Sequence, residues 1–301
     1  CVIRMIFWLS IFVSSLFFIE LTFLAKIKIC LKAFLMKIKK ALVTGGTSGI
    51  GLAICDQLLA SGSEVYSLSR NPHKCESREN FHPLKLDLSD LNAVSEFGEN
   101  FIKEHGIPDL LINNAGYGVF YEWSKFPYNE IEKQINVLFS SPVLLCKSFA
   151  PKMEKMGGVV VNISSLAVLY PLPFMPLYNA GKSALSSFTQ SMMLESNRSV
   201  RWIDFRLGDI CTGFNQSAPQ QDYKLQDGSM RNAWVQIERQ LKESPNAVFA
   251  AKQIIQSVER NRNGTVYGGG FFQSRIAPFL RLFLGSFTLK KVLSFRYGLN
   301  K

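Results

Sequence analysis

Residues 39–51 read Lys-Lys-Ala-Leu-Val-Thr-Gly-Gly-Thr-Ser-Gly-Ile-Gly. A short apolar strand comes first, a glycine-rich turn follows, and apolar residues then recur at helical spacing. Glycines let the backbone approach a pyrophosphate, and the free amides at a helix N-terminus favour an anion. The stretch predicts a phosphate-binding turn, with a purely structural glycine turn as the alternative. The candidate contacts are Gly45, Thr47, Ser48, Gly49, Ile50 and Gly51.

Strand-like and helical patterns alternate along the rest of the chain. Near-continuous apolar runs predict strands at 39–44, 64–68, 82–86, 109–112, 158–163, 200–206 and 265–267. Helical periodicity predicts helices at 49–60, 90–104, 128–155, 177–196 and 246–260. This alternation is typical of an α/β domain that has a parallel sheet with helices on both faces.

Tyr178 and Lys182 stand one helical turn apart, so both side chains project from the same face of a helix. A phenol has an ordinary pKa of about 10, and a neighbouring cation lowers it. Such a pair is a proton donor whose strength the protein can adjust. Because the spacing is common by chance, an exposed Tyr and Lys without a chemical role is the alternative.

Four motifs in order resemble the short-chain dehydrogenase/reductase family over roughly residues 38–268. They are the glycine turn, Asn-Asn-Ala-Gly at 113–116, Asn-Ile-Ser-Ser at 162–165, and Tyr178 with Lys182. The resemblance implies a single doubly wound, Rossmann-type domain that binds NAD(P)H at the carboxyl edge of its strands. It also implies an oxidoreductase that interconverts a carbonyl and an alcohol on a small-molecule substrate.

The resemblance also assigns roles to residues of this chain. Ser165 would polarise the substrate carbonyl, and Tyr178 would be the general acid or base. Lys182 would hold the nicotinamide ribose and lower the pKa of Tyr178, and Asn136 would hold a water in the proton relay. Further cofactor contacts would come from Asp87, Leu88, Asn113, Ala115, Gly116, Gly208, Ile210 and Thr212.

The end of the second strand bears on the choice of cofactor. An acid there would hold an adenosine ribose hydroxyl, as in NAD-binding proteins. This chain has Ser69 and Arg70 instead, and a guanidinium suits a 2′-phosphate. We therefore expect NADP(H). In the alternative, NAD is used and Arg70 only covers the adenine.

Three stretches depart from the family pattern or bear on the choice of substrate. Leu207-Gly208 stands where the family usually has Pro-Gly, so the close turn is kept without the rigidity of proline. Residues 166–177 are apolar and proline-rich, and they either line a substrate pocket or pack against a partner subunit. By resemblance, residues 213–245 are an insertion that covers the site and sets substrate choice.

Net charge is concentrated at the two ends of the chain. The total is +11, and residues 1–40 and 271–301 each carry +6, which leaves about −1 for the rest. A nearly neutral middle argues against nucleic-acid binding. Both basic ends are apolar as well, which indicates contact with a membrane surface or anionic lipid.

The sequence predicts three regions: an apolar segment at 1–36, the nucleotide-binding domain at 37–270 and a basic amphipathic tail at 271–301. Residues 5–25 are long enough to span a bilayer, and the basic residues after them would place the domain in the cytoplasm. Alternatively, residues 1–35 are upstream sequence translated in error, because Met36 resembles an ordinary start. The tail predicts one or two helices that contact a bilayer, a dimer partner or the pocket mouth.

The remaining patterns predict no metal site. The six cysteines form no Cys-x-x-Cys pair and no metal pattern with the three histidines, and Cys55 and Cys146 lie on apolar helix faces. We also expect a homo-oligomer. Two function classes stay open: an NADP(H)-dependent oxidoreductase acting on an apolar or lipid-like substrate, and a non-catalytic NADP(H)-binding redox sensor.

Overall fold

The computed structural model describes residues 38–74, 78–196, 199–213, 220 and 228–299. The strands are β1 (Lys40–Thr44), β2 (Glu64–Ser69), β3 (Phe81–Lys85), β4 (Leu110–Asn113), β5 (Gly158–Ser165), β6 (Val200–Leu207) and β7 (Gly264–Gly268). The helices are α1 (Gly49–Ala60), α2 (Leu91–His105), α3 (Tyr128–Ile135), α4 (Ser141–Met153), α5 (Pro176–Glu195), α6 (Gly228–Lys242), α7 (Ala247–Glu259), α8 (Ala277–Arg281) and α9 (Ser286–Arg296). The interpretation of residues 1–36 as an anchor falls outside the described residues.

The seven strands form one parallel sheet in the order β3-β2-β1-β4-β5-β6-β7. The order reverses between β1 and β4, and ligands of open α/β sheets bind in the crevice at such a reversal. Register pairs Ser165 with Leu207 and Asn113 with Asn162, so the carboxyl ends of the central strands share one edge. The predicted doubly wound α/β fold is confirmed.

Alternating side chains of the strands fill two cores, one on each face of the sheet. Ala41 and Val43 face α1 and α7, while Leu42 between them faces α2, α4 and α5. Helices cover both faces, which explains why the central strands are apolar along their whole length. Cys55 and Cys146 are buried in these cores, as expected from the sequence.

The single helix predicted at 128–155 is two helices in the structure. A π-helical turn at Asn136–Ser140 separates α3 from α4. Pro142 follows it, and a proline can neither donate to the carbonyl four residues earlier nor pack closely against it. Single π-turns inside helices occur frequently at functional sites. Here the wide turn carries Asn136.

A third apolar cluster lies apart from the two sheet cores and includes parts of the tail. Phe120, Met175, Trp234 and Tyr297 are buried in it, and Tyr178 packs against it. Trp234 is on α6, a helix inside the stretch expected to cover the site, and Tyr297 directly follows α9. The tail is therefore packed onto the domain along one of its sides.

None of the described helices is both long and apolar enough to cross a membrane.

Candidate functional site

The glycine turn joins β1 to α1, and its backbone geometry depends on glycine. Gly45 and Gly49 have φ of +70° and +52°, in the left-handed region that other residues avoid. A Cβ on Gly51 would lie 2.1 Å from the carbonyl oxygen of Gly45. Ser48 precedes the helix, and its side chain makes no capping hydrogen bond. The turn thus has the shape and the helix N-terminus that a pyrophosphate group requires.

Residues 114–116 form the opposite wall of the crevice. The Thr44 hydroxyl accepts hydrogen bonds from the backbone N–H groups of Asn114 and Ala115 at 3.0 and 2.9 Å. The Asn114 amide donates to the Thr44 carbonyl at 3.0 Å. A Cβ on Gly45 would lie 3.1 Å from Ala115 Cα, so the two walls approach closely. This arrangement places Gly45 and Ala115 together at the switch point, as the motifs predict.

Asn113 has its side chain inside the protein. Its Nδ2 donates to Asn162 Oδ1 at 2.8 Å and to Cys146 Sγ at 3.4 Å, and it is only 1% exposed. Burial raises the pKa of the Cys146 thiol to about 12, so the thiol stays protonated. The Asn113 amide ties β4 to β5, and a contact with a cofactor would have to use its backbone.

Arg70 and Ser69 lie at the end of β2, next to the crevice. Arg70 is exposed, and no carboxylate of the described residues lies within 4.0 Å of it. The Ser69 hydroxyl is buried and has no hydrogen-bond partner among the described residues. Buried polar groups without partners are uncommon in native proteins, and a ligand is one way to satisfy them.

Asp87 and Leu88 follow β3 at the same edge. The Asp87 carboxylate accepts from the N–H and hydroxyl of Ser89 at 2.9 and 2.8 Å. Burial raises the pKa of Asp87, but these hydrogen bonds and the charges of Arg70 and Lys133 outweigh it, so the pKa lies below its ordinary value. Leu88 is buried, and its carbonyl accepts from Ser141.

Ser165 and Tyr178 come together at the end of β5. Ser165 is the last residue of the strand, Tyr178 lies in the first turn of α5, and their hydroxyls are hydrogen-bonded. Burial raises the pKa of Tyr178, the bond to Ser165 lowers it, and the negative charge of Asp209 raises it further. The net direction is upward, whereas the sequence predicted a lowering by Lys182.

Lys182 is not among the groups that shift the pKa of Tyr178. The residue is only 4% exposed, and its ammonium donates to the Ile163 carbonyl at 2.6 Å. Burial lowers the pKa of Lys182 to about 8, against the opposing charge of Asp204. A Cβ on Gly116 would lie 3.4 Å from Lys182 Nζ, so the glycine keeps space beside the ammonium.

Asn136 is buried, and its Nδ2 donates to the Ser89 carbonyl at 3.1 Å. The π-turn that carries it packs tightly on α5, because a Cβ on Gly181 would lie 2.8 Å from Leu138 Cβ. Asn136 and Lys182 therefore lie on two elements in direct contact. The wide turn sets the position of Asn136 relative to that helix.

The residues after β6 divide between the core and the site. Ile210 is buried in the core shared with α1 and α7. Thr212 lies near the glycine turn, since a Cβ on Gly49 would be 3.9 Å from the Thr212 side chain. The predicted cofactor contact thus fits Thr212 better than the side chain of Ile210.

Sequence reasoning missed Asp209, Gln273 and Tyr297. Asp209 is close enough to Tyr178 to influence its pKa, and Gln273 hydrogen-bonds to Asp209. Asp209 is the one charged residue in the small and apolar run 207–211, and this charge was the signal in the sequence that could have marked it as a site residue. Nothing local in the sequence marks Gln273 or Tyr297, because both reach the site through long-range packing.

The segment after Ser165 packs beside Tyr178. Met175 is buried in the third cluster, and Leu172 and Phe174 pack against it with Tyr178. Phe174 has φ of +60°, which is rare for a large side chain and is often retained near functional sites. Tyr170 donates to the Ala277 carbonyl at 2.6 Å, so this segment also holds α8.

Comparison with known proteins gives matches along most of this domain. The family described as short chain dehydrogenase matches residues 39–223. The 3-ketodihydrosphingosine reductase of Bacteroides thetaiotaomicron is 32% identical over 58% of this chain and 65% of its own length. The human 15-hydroxyprostaglandin dehydrogenase [NAD(+)] is 32% identical over 60% of this chain and 69% of its own length.

A short-chain dehydrogenase structure from Streptomyces avermitilis shares the fold. Its TM-score is 0.70 at 21% identity, and the match covers 87% of this chain and 94% of that chain. The chain spans 54–65% of the length of several curated relatives that it matches.

Proposed function

The chain belongs to the short-chain dehydrogenase family, and we propose that it interconverts a carbonyl and an alcohol on an apolar substrate with NADP(H). The observation that carries this proposal is the hydrogen-bonded pair of Ser165 and Tyr178 with Lys182 one helical turn away. This pair lies at the same sheet edge as the glycine turn. One relative is named a ketone reductase and another a hydroxyl dehydrogenase, which supports carbonyl–alcohol chemistry.

The glycine turn fits a dinucleotide, since Gly51 leaves no room for a Cβ and the first amides of α1 are available to a phosphate. A reduced nicotinamide bound there supplies hydride. In our proposal, Tyr178 donates its phenolic proton to the substrate oxygen as that oxygen gains negative charge, and Ser165 donates a hydrogen bond to the same oxygen. Lys182 holds the cofactor ribose, and Asn136 holds a water that returns the proton to Tyr178.

The electrostatics of Tyr178 suit the phenol to act as an acid. Burial and the charge of Asp209 raise its pKa, so the phenol is protonated at neutral pH. A protonated phenol is the acid that carbonyl reduction requires. We therefore propose that Tyr178 is the proton donor of the reduction step.

The third apolar cluster supports an apolar substrate, because Leu172, Phe174 and Met175 lie beside Tyr178. NADPH oxidation with a series of straight-chain ketones tests this proposal, with the alcohol identified by mass spectrometry. We expect kcat/KM to rise with chain length. The alternative, a redox sensor, predicts tight NADPH binding without an alcohol product from any ketone.

Arg70 supports NADP(H), because its guanidinium is exposed at the crevice and forms no ion pair within 4.0 Å with a described carboxylate, although its charge acts on Asp87 at longer range. The name of the human relative specifies NAD(+), so the preference must come from the residues of this chain. We expect Arg70→Asp to weaken NADPH binding about 10- to 100-fold, since it removes a charge-assisted phosphate contact and adds repulsion. NADH binding should change less than threefold.

Isothermal titration calorimetry with both nucleotides measures this effect directly. Lys152→Asp is the matched control, because it makes the same charge change at an exposed site in the last turn of α4. Equal affinity of the unmodified protein for NADH and NADPH would contradict the assignment to Arg70.

The tail carries an exposed apolar surface with basic residues. Its large exposed apolar side chains include Phe271, Phe272, Phe279, Leu282, Phe283, Phe287 and Phe295. Arg275, Arg281, Lys290, Lys291 and Arg296 accompany them, and residues 271–299 contain no acid. Because apolar side chains and positive charges together suit the headgroup region of an anionic bilayer, we propose that this tail surface binds anionic lipid.

Vesicle sedimentation tests whether the tail surface binds anionic lipid. We expect binding to vesicles that contain 30% phosphatidylserine, weaker binding at 0.5 M salt, and little binding to phosphatidylcholine alone. The double change Lys290→Glu and Lys291→Glu should reduce binding at least tenfold, whereas Lys152→Glu with Lys155→Glu should not. No binding, together with a dimer in light scattering, would instead assign the surface to a second copy of the chain.

A further inference from the structure

Asp209 is a carboxylate at the catalytic edge that the proposed reaction does not use. It lies two residues beyond Leu207, which pairs in register with Ser165. Its backbone N–H donates to Gln273 Oε1 at 3.0 Å, and Gln273 Nε2 donates to Asp209 Oδ2 at 2.5 Å. One glutamine amide thus fixes both the backbone and the side chain of Asp209.

Two glycines make room for this glutamine. A Cβ on Gly208 would lie 2.4 Å from Gln273 Oε1, and a Cβ on Gly269 would lie 3.0 Å from the same atom. Gln273 itself lies in a second π-helical turn, Phe272–Ile276. The main chain on both sides of Gln273 is therefore shaped to hold the Asp209 carboxylate in one orientation.

The charge of Asp209 acts on two phenols of the third apolar cluster. Its charge raises the pKa of Tyr178 and that of Tyr297, and both rings belong to the third apolar cluster. Arg296 acts on Asp209 only at longer range, and no cationic side chain of the described residues lies within 4.0 Å of the carboxylate. Burial raises the pKa of Asp209, and the hydrogen bond from Gln273 and the charge of Arg296 only partly oppose this, so the ionised carboxylate is destabilised. A cation supplied by a ligand would stabilise it.

We propose that Asp209 binds a protonated amine of the substrate, so that the natural substrate is an apolar ketone with an amino group close to the carbonyl, as in a 2-amino ketone. This inference rests on the proposed carbonyl reduction. The ammonium would pair with the carboxylate while the carbonyl oxygen contacts Ser165 and Tyr178. The pair would also offset the charge that otherwise opposes ionisation of Tyr178 during proton transfer.

Three ketones of equal chain length test the proposal with the full-length protein: 2-aminotetradecan-3-one, its N-acetyl derivative and tetradecan-3-one. We expect the unmodified enzyme to prefer the charged ketone at least tenfold in kcat/KM. Asp209→Asn should lower kcat/KM for the charged ketone about 10- to 100-fold, as expected for a lost charge-assisted hydrogen bond. The two neutral ketones should lose clearly less than the charged ketone, because they make no ion pair with Asp209. The loss of the charge near Tyr178 affects all three ketones alike, and the new amide oxygen can still accept from Gln273.

Asp56→Asn is the matched control, since Asp56 pairs with Arg78 at an exposed site. Binding of 2-aminotetradecan-3-ol to the Tyr178→Phe variant, measured by calorimetry, gives a readout that does not depend on turnover. This affinity should fall when Asp209→Asn is added.

Equal losses on all three ketones would overturn the inference, as would an unmodified enzyme without preference for the charged ketone. Either result would leave carbonyl reduction intact. Failure to reduce any of the three, with NADPH binding retained, would instead overturn the proposed function together with this inference. Gln273→Leu adds a further check, because it keeps the charge of Asp209 but releases its orientation, and it should reduce the preference for the charged ketone.

Discussion

Replacing Tyr178 by phenylalanine is expected to lower kcat at least 100-fold and to leave NADPH affinity within about threefold of the unmodified enzyme. The change removes one oxygen atom, the proposed proton donor, and general acid catalysis contributes about 10²- to 10⁴-fold. The ring stays packed against the third cluster, so the fold should be unaffected. Ser165→Ala should also lower kcat, because the partner hydroxyl is lost.

Single-turnover NADPH oxidation measures the chemical step, and nucleotide fluorescence measures binding. Tyr170→Phe is the matched control, since it removes a hydroxyl that holds the Ala277 carbonyl instead of contacting Ser165. That variant should keep most of its activity. If Tyr178→Phe retained more than about a third of the rate, Tyr178 would not be the proton donor.

Lys182→Met is expected to reduce kcat/KM about 100-fold or more without destabilising the protein. The buried ammonium loses solvation on folding, and a pKa lowered from 10.5 to about 8 corresponds to a cost of about 3 kcal/mol at neutral pH. Methionine removes this cost, although the Ile163 carbonyl then loses a donor. Activity should therefore fall, while the free energy of unfolding should rise or stay constant.

Urea denaturation between pH 7 and 9.5 checks the direction in which the free energy of unfolding changes with pH. The unfolded chain binds the Lys182 proton up to a pKa of about 10.5, whereas the folded chain releases it near 8. The free energy of unfolding of the unmodified protein should accordingly rise with pH across this interval, relative to that of Lys182→Met. A parallel pH dependence of the two proteins would contradict the burial argument.

Much of the fold follows from local patterns. All seven strands and four of the helices lie within a few residues of their predicted positions, because buried parallel strands and amphipathic helices have distinct periodicities. Ser165 and Tyr178 were also predicted together, since Ser165 ends one motif and Tyr178 begins the next. The π-turn at Asn136 was missed, because periodicity over 128–155 cannot register one wide turn.

Contacts between distant segments could not be predicted. The Gln273 amide reaches Asp209 across 64 positions of sequence, and only packing reveals that contact. The inward orientation of Asn113 and the position of Lys182 Nζ depend in the same way on neighbours across the sheet. Burial around Tyr178, which raises its pKa, is likewise a property of the assembled cluster and not of one helix.

The contact between Gln273 and Asp209 has a consequence for synthesis on the ribosome. Domains begin to form from the N-terminal side as the chain emerges. The glycine turn and residues 114–116 are made early, so a nascent chain can form its nucleotide crevice well before β7. Asp209 acquires its fixed orientation only after Gln273 has left the exit tunnel, and Tyr297 arrives later still. The nucleotide crevice should therefore form before Asp209 is held in its orientation, and a product that ends before residue 273 would lack that orientation.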